Sequence, residues 1–100
     1  MSKFDFHYDA GHGWLKVHIY DAADVGLYAD DFSAYSYRNG EHLYLEEDCD
    51  AGRFLAAWDK ALRKFDVRHI DDGYNSPIRS YEHIIPLGRL ADELSDEIPF

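Results

Sequence analysis

Residues 33–47 read SAYSYRNGEHLYLEE, and this stretch decides the fold. Asn39-Gly40 separates two alternating runs. Both residues tolerate the positive φ of a type I′ turn, so the pair is a strong two-residue hairpin signal. That turn sets a register: Arg38 opposite Glu41, Tyr37 opposite His42, Ser36 opposite Leu43, Tyr35 opposite Tyr44, and Ala34 opposite Leu45. Side chains alternate between the two faces of a strand. Ala34, Ser36, Leu43 and Leu45 therefore share one face, small and aliphatic enough to receive a helix. Tyr35, Tyr37, His42 and Tyr44 share the other.

Upstream, FDFHY (4–8) alternates Phe4, Phe6 and Tyr8 against Asp5 and His7, and DAGHG (9–13) supplies a turn. WLKVHIY (14–20) alternates again, placing Leu15, Val17 and Ile19 opposite Trp14, Lys16, His18 and Tyr20. The two segments read as a second hairpin. In DAADVGLYADD (21–31), Asp21 caps one or two helical turns that Gly26 limits. Downstream, AGRFLAAWDKALRKF (51–65) places Phe54, Trp58, Ala61, Leu62 and Phe65 on one helical stripe, with Leu55 beside it. FDVRHI (65–70) is a strand, and DDG (71–73) ends it. Ser76-Pro77 reads as a cap and first-turn proline, with IRSYEH either a short helix or an extended edge. After Pro86, LGRLADEL (87–94) aligns Leu87, Leu90 and Leu94 on one face. The expectation is a single α+β domain over residues 1–100. It has about five mostly antiparallel strands, one long helix on one face and a C-terminal helical segment.

The chain is acidic, with 20 Asp and Glu against 10 Lys and Arg and a net charge of −10. Eleven of the acids fall in residues 1–50, against only Lys3, Lys16 and Arg38. Such a charge repels nucleic-acid phosphates and anionic membranes, so the expected partner is a basic protein surface. A hydrophobic fraction of 46% suffices for a folded core. One cysteine makes no internal disulfide, which suits a reducing cytoplasm. No apolar run reaches the ~18 residues of a membrane helix.

YLEEDCDAGRF (44–54) is the stretch most suggestive of chemistry. As a calcium loop from Asp48 it fails, because Gly52 and Arg53 stand where the loop needs an oxygen ligand and then a glycine. Histidines 7, 12, 18, 42, 69 and 83 show no zinc-ligand spacing, and no nucleophile elbow or phosphate-binding glycine loop occurs. A structural role is available instead. With Asp50 as N-cap, Cys49 and Phe54 take the two positions of a hydrophobic staple; a start capped by Asp48 is the alternative. Glu46, Glu47 and Asp48 then remain as outward acids. No cofactor, metal or catalytic residue is expected, and the surface becomes the candidate site. Tyr35, Tyr37, His42 and Tyr44 would form an aromatic face rimmed by Asp30, Asp31, Glu46, Glu47 and Asp48. The competing arrangement has the C-terminal segment covering that face, with the tyrosines in the core.

In GHGWLKV (11–17), SAYSY (33–37), YLEEDCDAGRFLAA (44–57) and SPIRSY (76–81) the chain resembles a group of small proteins encoded by bacteriophages, prophages and plasmids of proteobacteria. Those proteins show HGWL, SYSY-like, YLEEDCD and IRSY-like stretches in the same order. The resemblance carries no catalytic residues. It implies a mobile-element origin and a role in the host cytoplasm, binding nucleic-acid-handling or defence machinery. Some anti-CRISPR inhibitors act there as DNA mimics. The function expected is a non-catalytic binding module docking on a basic host protein. A structural or oligomerisation domain is the alternative, and a small enzyme or metal protein using Cys49 or the histidines a third.

Overall fold

The computed structural model describes residues 2–84, so the expected helix over 87–94 lies outside the described residues. The fold is α+β, built on one six-stranded mixed sheet. β1 (Ser2–Tyr8) and β2 (Gly13–His18) form the first hairpin. The short helix α1 (Ile19–Asp24) follows, then a 3₁₀ turn at Ala29–Asp31. β3 (Tyr37–Asn39) and β4 (His42–Glu46) form the second hairpin. A π-helical turn (Glu47–Ala51) leads into α2 (Gly52–Lys60), and β5 (Phe65–Asp71) returns to the sheet. A 3₁₀ turn at Pro77–Ser80 precedes β6 (Glu82–His83). The strand order is β5-β1-β2-β4-β3-β6.

This corrects the expectation of five mostly antiparallel strands. β5 lies parallel to β1, from Ser2 opposite Phe65 to Tyr8 opposite Asp71. The physical reason is the crossover: α2 carries the chain across the sheet and delivers β5 in the same direction as β1.

The second hairpin forms, but two residues out of the expected register. Tyr37 opposes Tyr44, Arg38 opposes Leu43, and Asn39 opposes His42. The loop is Gly40-Glu41, in which only Gly40 has a positive φ (61°), as a type II′ turn requires. A shift of two preserves the faces, so Tyr37, His42 and Tyr44 still point away from Leu43 and Leu45. The strand stops at Tyr37 because the preceding turn serves another partner. The buried Asp50 carboxylate accepts from Ser33 N–H (2.9 Å), Ser33 Oγ–H (2.7 Å) and the Ser36 hydroxyl, while Ser36 Oγ accepts from Glu46 N–H (2.9 Å). A buried carboxylate needs such donors, and extending β3 back to Ala34 would remove them.

One face of the sheet carries Phe4, Leu15, Val17, Leu43 and Leu45, which pack against Phe54 and Trp58 of α2. Phe4 meets both rings edge-on, at centroid distances of 5.2 and 5.1 Å. α2 is shorter than the expected 51–65. Its end is a Schellman arrangement: Arg63 N–H donates to Trp58 O (3.3 Å) and Leu62 N–H to Asp59 O (2.9 Å). Leu62 takes the left-handed position normally given to glycine, at φ 59°, and is 92% exposed. Arg63 lies over the Trp58 ring at 3.8 Å.

The opposite face carries Trp14 and Tyr44, covered by Ile78 and flanked by Tyr37 and Tyr81. The tyrosine face is therefore largely closed, and the segment closing it is 76–81. Ser76 caps the 3₁₀ turn through Oγ, which accepts from Ile78 N–H (3.2 Å), with Pro77 in the first turn.

Candidate functional site

The segment that closes the tyrosine face is fastened by two polar clusters, one on the buried Asp9 and one on the partly buried Asp72. Asp9 accepts from Arg79 Nε (2.6 Å) and Nη2 (2.9 Å), and from the N–H groups of Gly11 (2.9 Å), His12 (3.0 Å) and Ser76 (2.9 Å). The Arg79 guanidinium, helped by these N–H groups, holds the Asp9 carboxyl well below the usual carboxylate range. Asp72 forms the second cluster. It pairs with His7 Nδ1 (3.1 Å) and accepts from Ser76 Oγ–H (2.7 Å). This places serine, histidine and aspartate together in the wrong order for nucleophilic catalysis. The hydroxyl bonds the carboxylate rather than the imidazole, so nothing activates it.

The acidic junction is arranged differently from the staple expected. Glu46 is the N-cap: its Oε2 accepts from Asp48 N–H and Cys49 N–H, both at 2.9 Å. Asp50 caps nothing, because its carboxylate is committed to Ser33 and Ser36. Phe54 is fully buried while Cys49 is exposed, so the two do not meet as a staple. Neither Asp50 nor Asp48 caps α2, because a π-helical turn precedes it. A hydrogen bond to Glu46, with further help from the neighbouring acids Asp50 and Asp48, pushes the Cys49 thiol up from its ordinary pKa. Its partner is a carboxylate and not an imidazole, the reverse of thiolate activation.

Of the expected site residues, Tyr35 is 70% exposed on the turn before β3, not on a strand. Tyr37 is half-buried, with centroid distances of 6.0 Å to Trp14 and 4.5 Å to His83. Tyr44 is buried under Tyr81 (5.1 Å), and burial pushes its phenol up to about 12. His42 shares that face two residues before Tyr44 but stands beside His18 (5.2 Å), and burial lowers its pKa. Glu46 is buried rather than outward, whereas Glu47 and Asp48 are exposed. Asp30 and Asp31 lie on the 3₁₀ turn, where Asp31 accepts from Tyr28 N–H (2.8 Å).

Four distant stretches nevertheless meet at one cleft of ≈ 280 Å³. GHGWLKV contributes His12 and Trp14, and SAYSY contributes Tyr35 and Tyr37. YLEEDCD contributes Glu46, Asp48 and Cys49, SPIRSY contributes Arg79, and His83 completes the wall. Tyr35, Tyr37, Glu46 and Asp48 are thus brought together; Tyr44, Glu47, His42, Asp30 and Asp31 are not part of this wall. Sequence reasoning missed His12, Arg79 and His83 here. The Asp9 turn held one local signal, an aspartate followed by two small residues, but Arg79 and His83 carried none.

Among the described residues, no helix is long and apolar enough to cross a membrane. Comparison with protein-family models, curated proteins and solved structures finds no significant match.

Proposed function

We propose that the chain is a non-catalytic binding module whose cleft takes a basic side chain of a partner protein. The observation that carries this reading is the composition of the cleft. Tyr35, Tyr37 and Trp14 supply aromatic walls, and Glu46 and Asp48 supply carboxylates in the same ≈ 280 Å³ space. An arginine or lysine inserted there gains cation–π attraction, about 0.5–1 kcal/mol at an exposed ring, together with an ion pair. The one strong cation that the described residues place in the wall, Arg79, is matched by Asp9. The net charge of −10 adds long-range attraction to a basic surface. A nucleic-acid-handling or defence protein of the host presents such a surface. Occupying it, as a DNA mimic or anti-CRISPR inhibitor does, is the form of the function most consistent with this charge.

The test is affinity capture from a proteobacterial lysate with the full chain, Tyr35→Ala and Asp48→Asn. Both side chains are exposed, so the substitutions leave the core intact. A partner held at about 50 mM salt and released at about 300 mM, and lost by both variants, is the expected result. Capture indifferent to salt and to both substitutions would overturn the proposal. Light scattering showing a dimer that Tyr35→Ala dissociates would give the cleft to a second copy of the chain instead.

A further inference from the structure

Two residues of the aromatic cleft, His12 and Glu46, also belong with Glu47 to a group that combines different metal-competent donors. A ring nitrogen of His12 and one carboxylate oxygen each of Glu46 and Glu47 all lie within 4.8 Å of one another. The scaffold beneath them is rigid. His12 sits on the β1–β2 turn, whose backbone is held by Asp9: Oδ1 accepts from Gly11 and His12 N–H, and Asp9 N–H donates to His12 O (2.9 Å). The β2–β4 register sets Trp14 opposite Glu46, so the end of β4 arrives two residues from His12. Glu46 is buried, and the N–H groups of Asp48 and Cys49 fix its carboxylate. Glu47 lies over Gly13. A Cβ at position 13 would stand 3.2 Å from Glu47 Oε2 and 2.3 Å from the Phe6 ring, so the close approach depends on glycine there.

We propose that His12, Glu46 and Glu47 bind a first-row divalent cation, with Glu46 as the fixed ligand. One imidazole and two carboxylates suit Zn²⁺ or Mn²⁺ better than Ca²⁺, which takes six to eight oxygens. Donors around a tetrahedral Zn²⁺ stand about 3.4 Å apart, given bonds of about 2.0–2.2 Å. His12 and Glu47 are exposed and close the remaining distance by changing rotamer. A second observation lies beside the cluster. Trp14, 2% exposed, lines the cleft that His12 and Glu46 share, and its indole N–H has no partner among the described residues. Three protein ligands leave at least one coordination position of the cation for a water.

The experiment titrates the full chain with ZnCl₂, MnCl₂ and MgCl₂ in separate calorimetric runs, with thermal denaturation alongside. A single saturable Zn²⁺ site is expected, with weaker Mn²⁺ binding and little or no Mg²⁺ binding. His12→Ala and Glu47→Gln each weaken Zn²⁺ binding at least about tenfold and abolish the Zn²⁺-induced rise in Tm. His69→Ala, an exposed histidine outside the cluster, leaves both unchanged. The variants keep their metal-free Tm, which separates lost ligation from lost folding. No saturable Zn²⁺ binding up to about 1 mM, or binding that survives both His12→Ala and Glu47→Gln, overturns the site. Tyr35→Ala, which tests the basic-partner reading, leaves Zn²⁺ binding intact, so the two proposals fail separately.

Discussion

The two faces of the sheet are closed by different means. On one, Phe54 and Trp58 of a regular helix press into Phe4, Leu15, Val17 and Leu45, and the contact is mainly apolar. On the other, the fully covered set is Trp14, Tyr44 and Ile78, and the covering segment is a single 3₁₀ turn. A turn of four residues buries too little apolar surface to hold itself down. It is anchored by directional bonds, Asp9 to Arg79 and Asp72 to Ser76. Volume holds the first face and hydrogen bonds hold the second. The cleft opens beside the second, where the short cover leaves Tyr35 and Asp48 in solvent.

The largest break in this contrast is expected from Phe54→Ala, which leaves a cavity beneath the helix and costs about 4 kcal/mol by urea denaturation. Asp9→Ala comes next, at about 3 kcal/mol, because it strands Arg79 and three backbone N–H groups at once. This loss depends on pH. The folded carboxyl titrates well below its unfolded value. Its stabilisation is therefore complete above about pH 4 and is lost as pH falls toward the depressed value, so the gap between wild type and variant narrows in acid. Ile78→Ala should cost about 2 kcal/mol, since the small cluster can partly collapse. It should also uncover Tyr44. The phenol, held up at about 12, falls toward the ordinary value of about 10 in an ultraviolet titration. In the wild type, the contribution of Tyr44 is present below about pH 10 and is lost as pH rises through 12. The smallest change sharpens the helical side: Leu62→Gly relieves a left-handed leucine and should raise stability by about 0.5–1 kcal/mol.

What was legible in the sequence was periodic or local. The alternation of FDFHY and WLKVH corresponds to β1 and β2, although Ile19 and Tyr20 already belong to α1, and Phe54 and Trp58 one turn apart mark the buried stripe of α2. The face assignment of the second hairpin survived its register error because the error was an even number. What was illegible depended on partners far along the chain. Asp50 drawing in Ser33 and Ser36 reset the hairpin, and no local feature of Asn39-Gly40 reports that demand. Leu62 ended α2 in a conformation its side chain disfavours, so periodicity overran the true end. The cleft was half legible. Tyr35, Tyr37, Glu46 and Asp48 were singled out, but as two members of a flat sheet face and two acids on its rim. The fourth wall comes from Arg79, which reaches Asp9 across 70 residues.

The parallel pairing of β1 with β5 has a consequence for how the molecule is made. Asp5 and Arg68, which join these strands through two hydrogen bonds of 3.0 Å, stand 63 residues apart. Emerging from the ribosome, β1 can pair with β2 at once, yet its other side stays unpaired until β5 has been synthesised. An open strand edge invites association with other chains. Closing so long a loop is also slow compared with forming a hairpin. Lys3 and Asp5 are well placed to keep that waiting edge charged and soluble while the ribosome finishes its work.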